Sequence, residues 1–91
     1  MKVCFKQASC KVSFLETEDE GKQAFLSEMY VPPEHREKGL ATNLLKKIIK
    51  LAKSNDCKSI ILHCLYDNAP ALLLYLNNSF EIKGMYMQLQ L

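Results

Sequence analysis

Residues 30–53, YVPPEHREKGLATNLLKKIIKLAK, decide the reading of this chain. Tyr30 and Val31 end an apolar stretch, and Pro32-Pro33 cannot continue a strand ladder. A charged turn then leads through Gly39 into a helix. Leu40, Ala41, Leu44, Leu45, Ile48, Ile49, Leu51 and Ala52 recur at helical spacing, while Thr42, Asn43, Lys46, Lys47, Lys50 and Lys53 fill the other side. Strand, turn and helix in that order create a site for an anion. The first N–H groups of a helix lack intrahelical partners, and the helix dipole favours negative charge before them. Gly39 has no side chain to obstruct a ligand pressed against the backbone, and Ala41 is the next best residue at such a contact. Successive N–H groups between Arg36 and Ala41 can converge as a nest whose span fits a diphosphate better than a single carboxylate. Arg36 and Lys38 can add charge to it.

Before this stretch, residues 2–5 and 11–15 read as two short strands, and Glu18-Asp19-Glu20-Gly21 as a turn. Residues 23–31 form the next strand, with Phe25, Ser27, Met29 and Val31 on one face and Ala24, Leu26, Glu28 and Tyr30 on the other. Both faces are mostly apolar, so it lies inside the sheet. After the long helix, Ser54-Asn55-Asp56 is a stop. Residues 59–65 read as a buried strand parallel to 23–31, because a helix separates the two. Asp67 or Asn68 caps a second helix that runs to about Asn77, with Pro70 in its first turn. Residues 80–91 read as a last strand, bent near Lys83-Gly84. The order β-β-β-α-β-α-β gives an α/β (α+β) chain: one domain over residues 1–91, with a mixed, mostly antiparallel sheet around a central parallel βαβ pair.

The formal net charge is +2, but it is unevenly spread. Residues 35–58 hold seven basic and two acidic residues, a net +5; the rest holds five and eight, a net −3. The excess lies where the anion site is expected and points to a phosphate-bearing ligand. The low total argues against nucleic acid, and the basic helix face at Lys46, Lys47, Lys50 and Lys53 reads mainly as a solvated one. Cys4, Cys10, Cys57 and Cys64 have no CxxC spacing, which argues against structural zinc. No tract is long enough to span a membrane, and the first 15 residues contain no continuous apolar stretch. The expectation is a cytoplasmic chain with free thiols.

The run Arg36-Glu37-Lys38-Gly39-Leu40-Ala41 resembles the acetyl-CoA signature of the GNAT superfamily of N-acetyltransferases, Gln/Arg-x-x-Gly-x-Gly/Ala. The run Asn68-x-x-Ala71-x-x-x-Tyr75-x-x-x-Ser79-Phe80 is similar to the family's Asn-x-x-Ala-x-x-x-Tyr-x-x-x-Gly-Phe, with serine where glycine is usual. That change asks little if Ser79 has ordinary dihedrals and costs strain if it does not. The resemblance implies that backbone N–H groups of Arg36, Glu37, Lys38, Gly39, Leu40, Ala41 and Thr42 hold the CoA diphosphate. It implies that backbone groups of Met29, Tyr30 and Val31 line the pantetheine arm like an added strand, in a gap where the two parallel strands splay. Asn68 would bond the arm or nearby backbone. Tyr75 would stand near the sulfur as general acid.

The implied reaction moves the acetyl group of acetyl-CoA to a primary amine by direct attack, releasing CoA. Glu28 is the best side chain for the base, with a surface glutamate paired to a lysine or arginine as the alternative. Cys64 reads as a buried hydrophobe and His63 as a partly buried strand residue before either reads as catalytic. Typical members of the superfamily begin with a strand and two helices that wall the acceptor pocket, and these have no counterpart here. Three readings follow: an active enzyme with an open acceptor cleft, a pocket completed by a homodimer, or a CoA-binding or protein-interaction module without efficient transfer. Less cover on one face of the sheet favours the homodimer.

Overall fold

The computed structural model describes residues 1–33 and 39–91. Its elements are β1 (Lys2–Phe5), β2 (Ala8–Thr17), β3 (Gly21–Tyr30), α1 (Leu40–Ser54), β4 (Ser59–Leu62) and α2 (Ala69–Asn77). The sheet order is β1-β2-β3-β4; the first two pairings are antiparallel and β3 with β4 is parallel. The mixed sheet with its βαβ pair is therefore as expected, with β3 in the interior. β2 begins earlier than its sequence suggests, because Ala8, Ser9 and Cys10 pair with Phe5, Cys4 and Val3 across a two-residue turn. Gly21 closes the second hairpin at φ 70°, where a Cβ would also meet the Lys58 side chain at 3.0 Å.

Helix α1 follows the stripe read from the sequence. Leu40, Leu44, Leu45, Ile48 and Ala52 are buried against Val3, Ala8, Cys10, Val12, Ala24 and Leu26 of the sheet. Each large side chain in that interface contributes about 1.5–3 kcal/mol of burial. The core lies on α1's side; Ser13, Phe25 and Ile61, in register on the opposite face, contribute nothing to it. Both helices end in the same hydrogen-bonded turn. After α1, Cys57 N–H bonds Ala52 O at 3.0 Å and Asp56 N–H bonds Lys53 O at 3.1 Å, with Asp56 left-handed at φ 61°. After α2, Phe80 N–H bonds Tyr75 O at 3.0 Å and Ser79 N–H bonds Leu76 O at 3.2 Å, with Ser79 at φ 72°. These are Schellman motifs, in which the left-handed residue is usually glycine.

Three expectations need correction. Residues 80–91 form no strand; they are exposed beyond Phe80, and Ile82 is 69% accessible. Phe80 is fixed against Tyr75 by the helix-end turn, and the chain then passes β4 with cavities between, so no ladder partner is in reach. β4 stops at Leu62 rather than Leu65. The even alternation read along residues 23–31 also fails at its end. β2 advances two residues from Ser9 to Lys11 while β3 advances three from Tyr30 to Ser27. The extra residue is a β-bulge, with Glu28 left-handed at φ 49°. Beyond it, Met29 packs on the same core as Leu26, and Tyr30 pairs with Ser9 on the opposite face.

Candidate active site

The site begins where β3 and β4 part. Their pairing runs from Gln23 with Ser59 to Leu26 with Leu62 and stops there. β3 continues through the bulge to Tyr30, while the chain after Leu62 leaves the sheet. The result is a gap at the C-terminal ends of two parallel strands, where open α/β sheets take their ligands. The bulge withdraws backbone from the β2 ladder, and the Cys10 thiol takes up part of it, donating to Ser27 O at 3.3 Å and Lys11 O at 3.4 Å. The sequence marked Cys10 only as one of four free thiols. The available signal was the polar pair Ser27-Glu28 inside an otherwise apolar strand.

Tyr75 reaches this gap from α2. Asn68 caps that helix by accepting from Ala71 N–H at 3.4 Å, and Pro70 sits in the first turn, so the start of α2 is fixed as expected. One and a half turns later the half-buried Tyr75 hydroxyl donates to Met29 Sδ at 3.6 Å, 46 residues back on the bulged end of β3. Its ring packs on Phe80 with centroids 5.5 Å apart. Burial raises the Tyr75 pKa above its ordinary value, and the Cys64 and Cys10 thiols near it raise it further. The phenol is thus held as a proton donor. Burial also raises the Cys10 pKa, against the lowering effect of its bond to Ser27 O, so that thiol stays protonated as well.

At the same end of β3, α1 starts at Gly39, which is left-handed at φ 75°, a conformation that favours glycine. A Cβ there would meet only Asn43 Nδ2, at 4.0 Å, so backbone conformation rather than crowding demands the glycine. Among the described residues no side chain caps the helix, its first turn has no acidic residue, and the first helical bond runs from Asn43 N–H to Gly39 O at 3.0 Å. The N–H groups of Leu40, Ala41 and Thr42 therefore precede the first full helical bond. That is the donor set an anion needs, and the residues present fit a diphosphate. Arg36, Glu37 and Lys38, also expected here, lie outside the described residues.

The other expected residues are more scattered. Glu28 forms an exposed ion pair with Lys11 of β2, Oε2 to Nζ 3.1 Å, which is its alternative reading from the sequence. Tyr30 is exposed, and Val31 is half-buried against the core. His63 is exposed and makes an edge contact with Phe25 at 5.5 Å. Lys47 is less free than a solvated face implies, since its ammonium bonds Cys4 O at 2.7 Å. Among the described residues there is no cluster of His, Cys, Asp or Glu suited to a metal, and no helix is long and apolar enough to cross a membrane.

Residues 8–80 match the family described as "Acetyltransferase (GNAT) family". A thialysine N-epsilon-acetyltransferase from Sus scrofa is 31% identical over 74 residues, covering 76% of this chain and 44% of that protein. Among solved structures, an acetyltransferase from Pyrococcus furiosus superposes with TM-score 0.85 at 22% identity, covering 93% of this chain and 57% of that one. An acetyltransferase from Clostridium acetobutylicum, solved with acetyl-CoA, gives TM-score 0.72 at 23% identity, covering 91% and 55%. The chain thus spans less than half of the curated relative and little over half of the two structures.

Proposed function

The chain belongs to the GNAT acetyltransferase family, and we propose that it transfers the acetyl group of acetyl-CoA to a primary amine. The observation that carries this is the Tyr75 hydroxyl held at Met29 Sδ, 3.6 Å away, at the opening between β3 and β4. A proton donor stands where a thioester lying along the end of β3 would release its sulfur. The start of α1 at Gly39 supports the diphosphate end of the same ligand, and Arg36, Glu37 and Lys38, which precede it in sequence, would extend that donor set.

In this reading the amine nitrogen attacks the acetyl carbonyl, and a backbone N–H of β3 around Met29 or Tyr30 receives the developing oxyanion. The C–S bond then breaks, and the CoA thiolate takes the Tyr75 proton. Glu28 takes the proton from the amine, directly or through water, after exchanging Lys11 for it. An exposed ion pair is weak enough to allow that exchange. Asn68 keeps its amide N–H groups for the pantetheine arm while its oxygen caps α2. The relative named for thialysine supports a primary amine on a flexible side chain as the acceptor. Free thiols at all four cysteines support a cytoplasmic setting.

A second reading, a CoA-binding module without efficient transfer, is favoured by one observation: Glu28 is engaged by Lys11 rather than free to serve as a base. The two are separated by following CoA thiol release against a panel of primary amines, thialysine, lysine and polyamines included. Acceptor-dependent release, reduced in Glu28→Gln, supports transfer. Saturable acetyl-CoA binding with no acetylated product from any amine supports the module.

A further inference from the structure

We propose that Lys11 is an acetylation site which the chain modifies itself, and that this modification releases Glu28 to serve other amines. The inference rests on the acetyl-transfer reading and adds to it an acceptor within the chain. Lys11 is a primary amine on a flexible stem, the acceptor chemistry which that reading requires. Its ammonium already sits at the candidate base, with Nζ 3.1 Å from Glu28 Oε2. The bulge makes this meeting possible. Glu28 is left-handed there at φ 49°, and bulges next to active sites re-aim a side chain. Neighbouring strands lie about 4.8 Å apart, so the four-carbon stem of Lys11 spans from β2 to the base on β3.

The two faces of the sheet divide the reacting groups. Lys11 lies between the buried Cys10 and Val12, so strand alternation points it to the face away from the core. Glu28 joins it there through the ion pair. Met29 and the Tyr75 hydroxyl, 3.6 Å from its sulfur, lie on the core side. A thioester in the gap where β3 and β4 part then has an amine and its base on one face and a proton donor on the other. Glu28 takes one proton from the Lys11 ammonium, and the freed nitrogen attacks the acetyl carbonyl. A C–N bond forms, the C–S bond breaks, and CoA leaves as the thiol with the Tyr75 proton. The nitrogen's second proton returns to Tyr75 through water, and Glu28 gives the first to solvent. The product is a neutral amide that no longer pairs with Glu28. It also relieves the like-charge pairing of Lys11 with Lys2, its register partner on β1. The base passes from engaged to free.

The test incubates the full chain with acetyl-CoA and no added amine, and maps acetylated peptides by mass spectrometry over time. Lys11 should gain one acetyl group about tenfold or more faster than Lys2 or Lys50. Its rate constant should not depend on protein concentration, as an intramolecular step requires, and Glu28→Gln should slow it by about tenfold or more. Lys11→Gln, a mimic of the acetylated side chain, should then release CoA with added amines about twofold to fivefold faster than Lys11→Arg, which keeps the charge; that is the range an exposed ion pair allows. Acetylation spread evenly over exposed lysines, a rate constant that rises with protein concentration, or equal release by the two Lys11 variants overturns the proposal. Acceptor-dependent CoA release with Lys11 unmodified also overturns it, and leaves the transfer reading standing. Saturable acetyl-CoA binding with neither Lys11 nor any added amine acetylated defeats both.

Discussion

Replacing Ser79 with glycine should stabilise the protein. Ser79 is the left-handed residue of the turn that ends α2, at φ 72°, and both turn bonds close around it, from Phe80 N–H to Tyr75 O and from Ser79 N–H to Leu76 O. A side chain held in that region costs about 1–2 kcal/mol. Glycine removes the cost but returns about 0.4–1 kcal/mol to the freer unfolded chain. The net gain is about 0.5–1 kcal/mol, or about 3–6 °C in Tm for a domain of this size. Urea titration followed by circular dichroism, together with thermal melts, reads it. Ser79→Ala is the control, because it leaves the left-handed strain in place and should change little. Asp56→Gly, at φ 61° after α1, should gain less than Ser79→Gly, since aspartate tolerates this region better than serine. A Ser79→Gly midpoint equal to or below that of the parent would refute the reasoning. The turn also aims Phe80 at the Tyr75 ring, so the variant should keep whatever acetyl-CoA binding the parent has.

Tyr75→Phe should leave acetyl-CoA binding intact and lower turnover by about tenfold to a hundredfold, toward the low end of general-acid effects because a CoA thiolate leaves fairly readily; steady-state kinetics with unchanged turnover would remove Tyr75 from the mechanism. The raised Tyr75 pKa makes a second, structural signature. Its stabilisation is fully present below the unfolded tyrosine value of about 10 and is lost as pH rises through the folded value, so urea midpoints should fall more steeply above about pH 10 in the parent than in Tyr75→Phe. Cys10, buried and bonded to Ser27 O with its pKa raised, should be alkylated by iodoacetamide last of the four thiols and exposed Cys4 first, as read by peptide mass mapping. Early modification of Cys10 would mean that the bulge opens readily.

Much of the fold was legible because it rests on local rules. The α1 stripe names its own buried face, Asn68 and Pro70 name the start of α2, and a helix between two apolar strands requires them to be parallel. Gly39 was read for its missing side chain; its left-handed φ of 75° is a separate demand that the sequence reading did not include. The bulge at Glu28 was not legible, because a period-two pattern is read as unbroken until pairing with β2 shows one residue too many. Its consequence is chemical as well as geometric: it turns Met29 to the core side, where Tyr75 meets it, and leaves Glu28 beside Lys11. The tail shows the opposite limit. Residues 80–91 read as a strand, but a strand needs a ladder partner and they find none among the described residues.

The central claim is that one extended ligand runs from the start of α1 into the gap between β3 and β4. Titration of acetyl-CoA followed by backbone amide shifts tests it most directly. Saturable shifts concentrated in residues 30–42 and 66–76 are predicted, weakened when Gly39 is replaced by valine and retained in Tyr75→Phe. No saturable shift at millimolar ligand, or shifts confined to other parts of the chain, would contradict it.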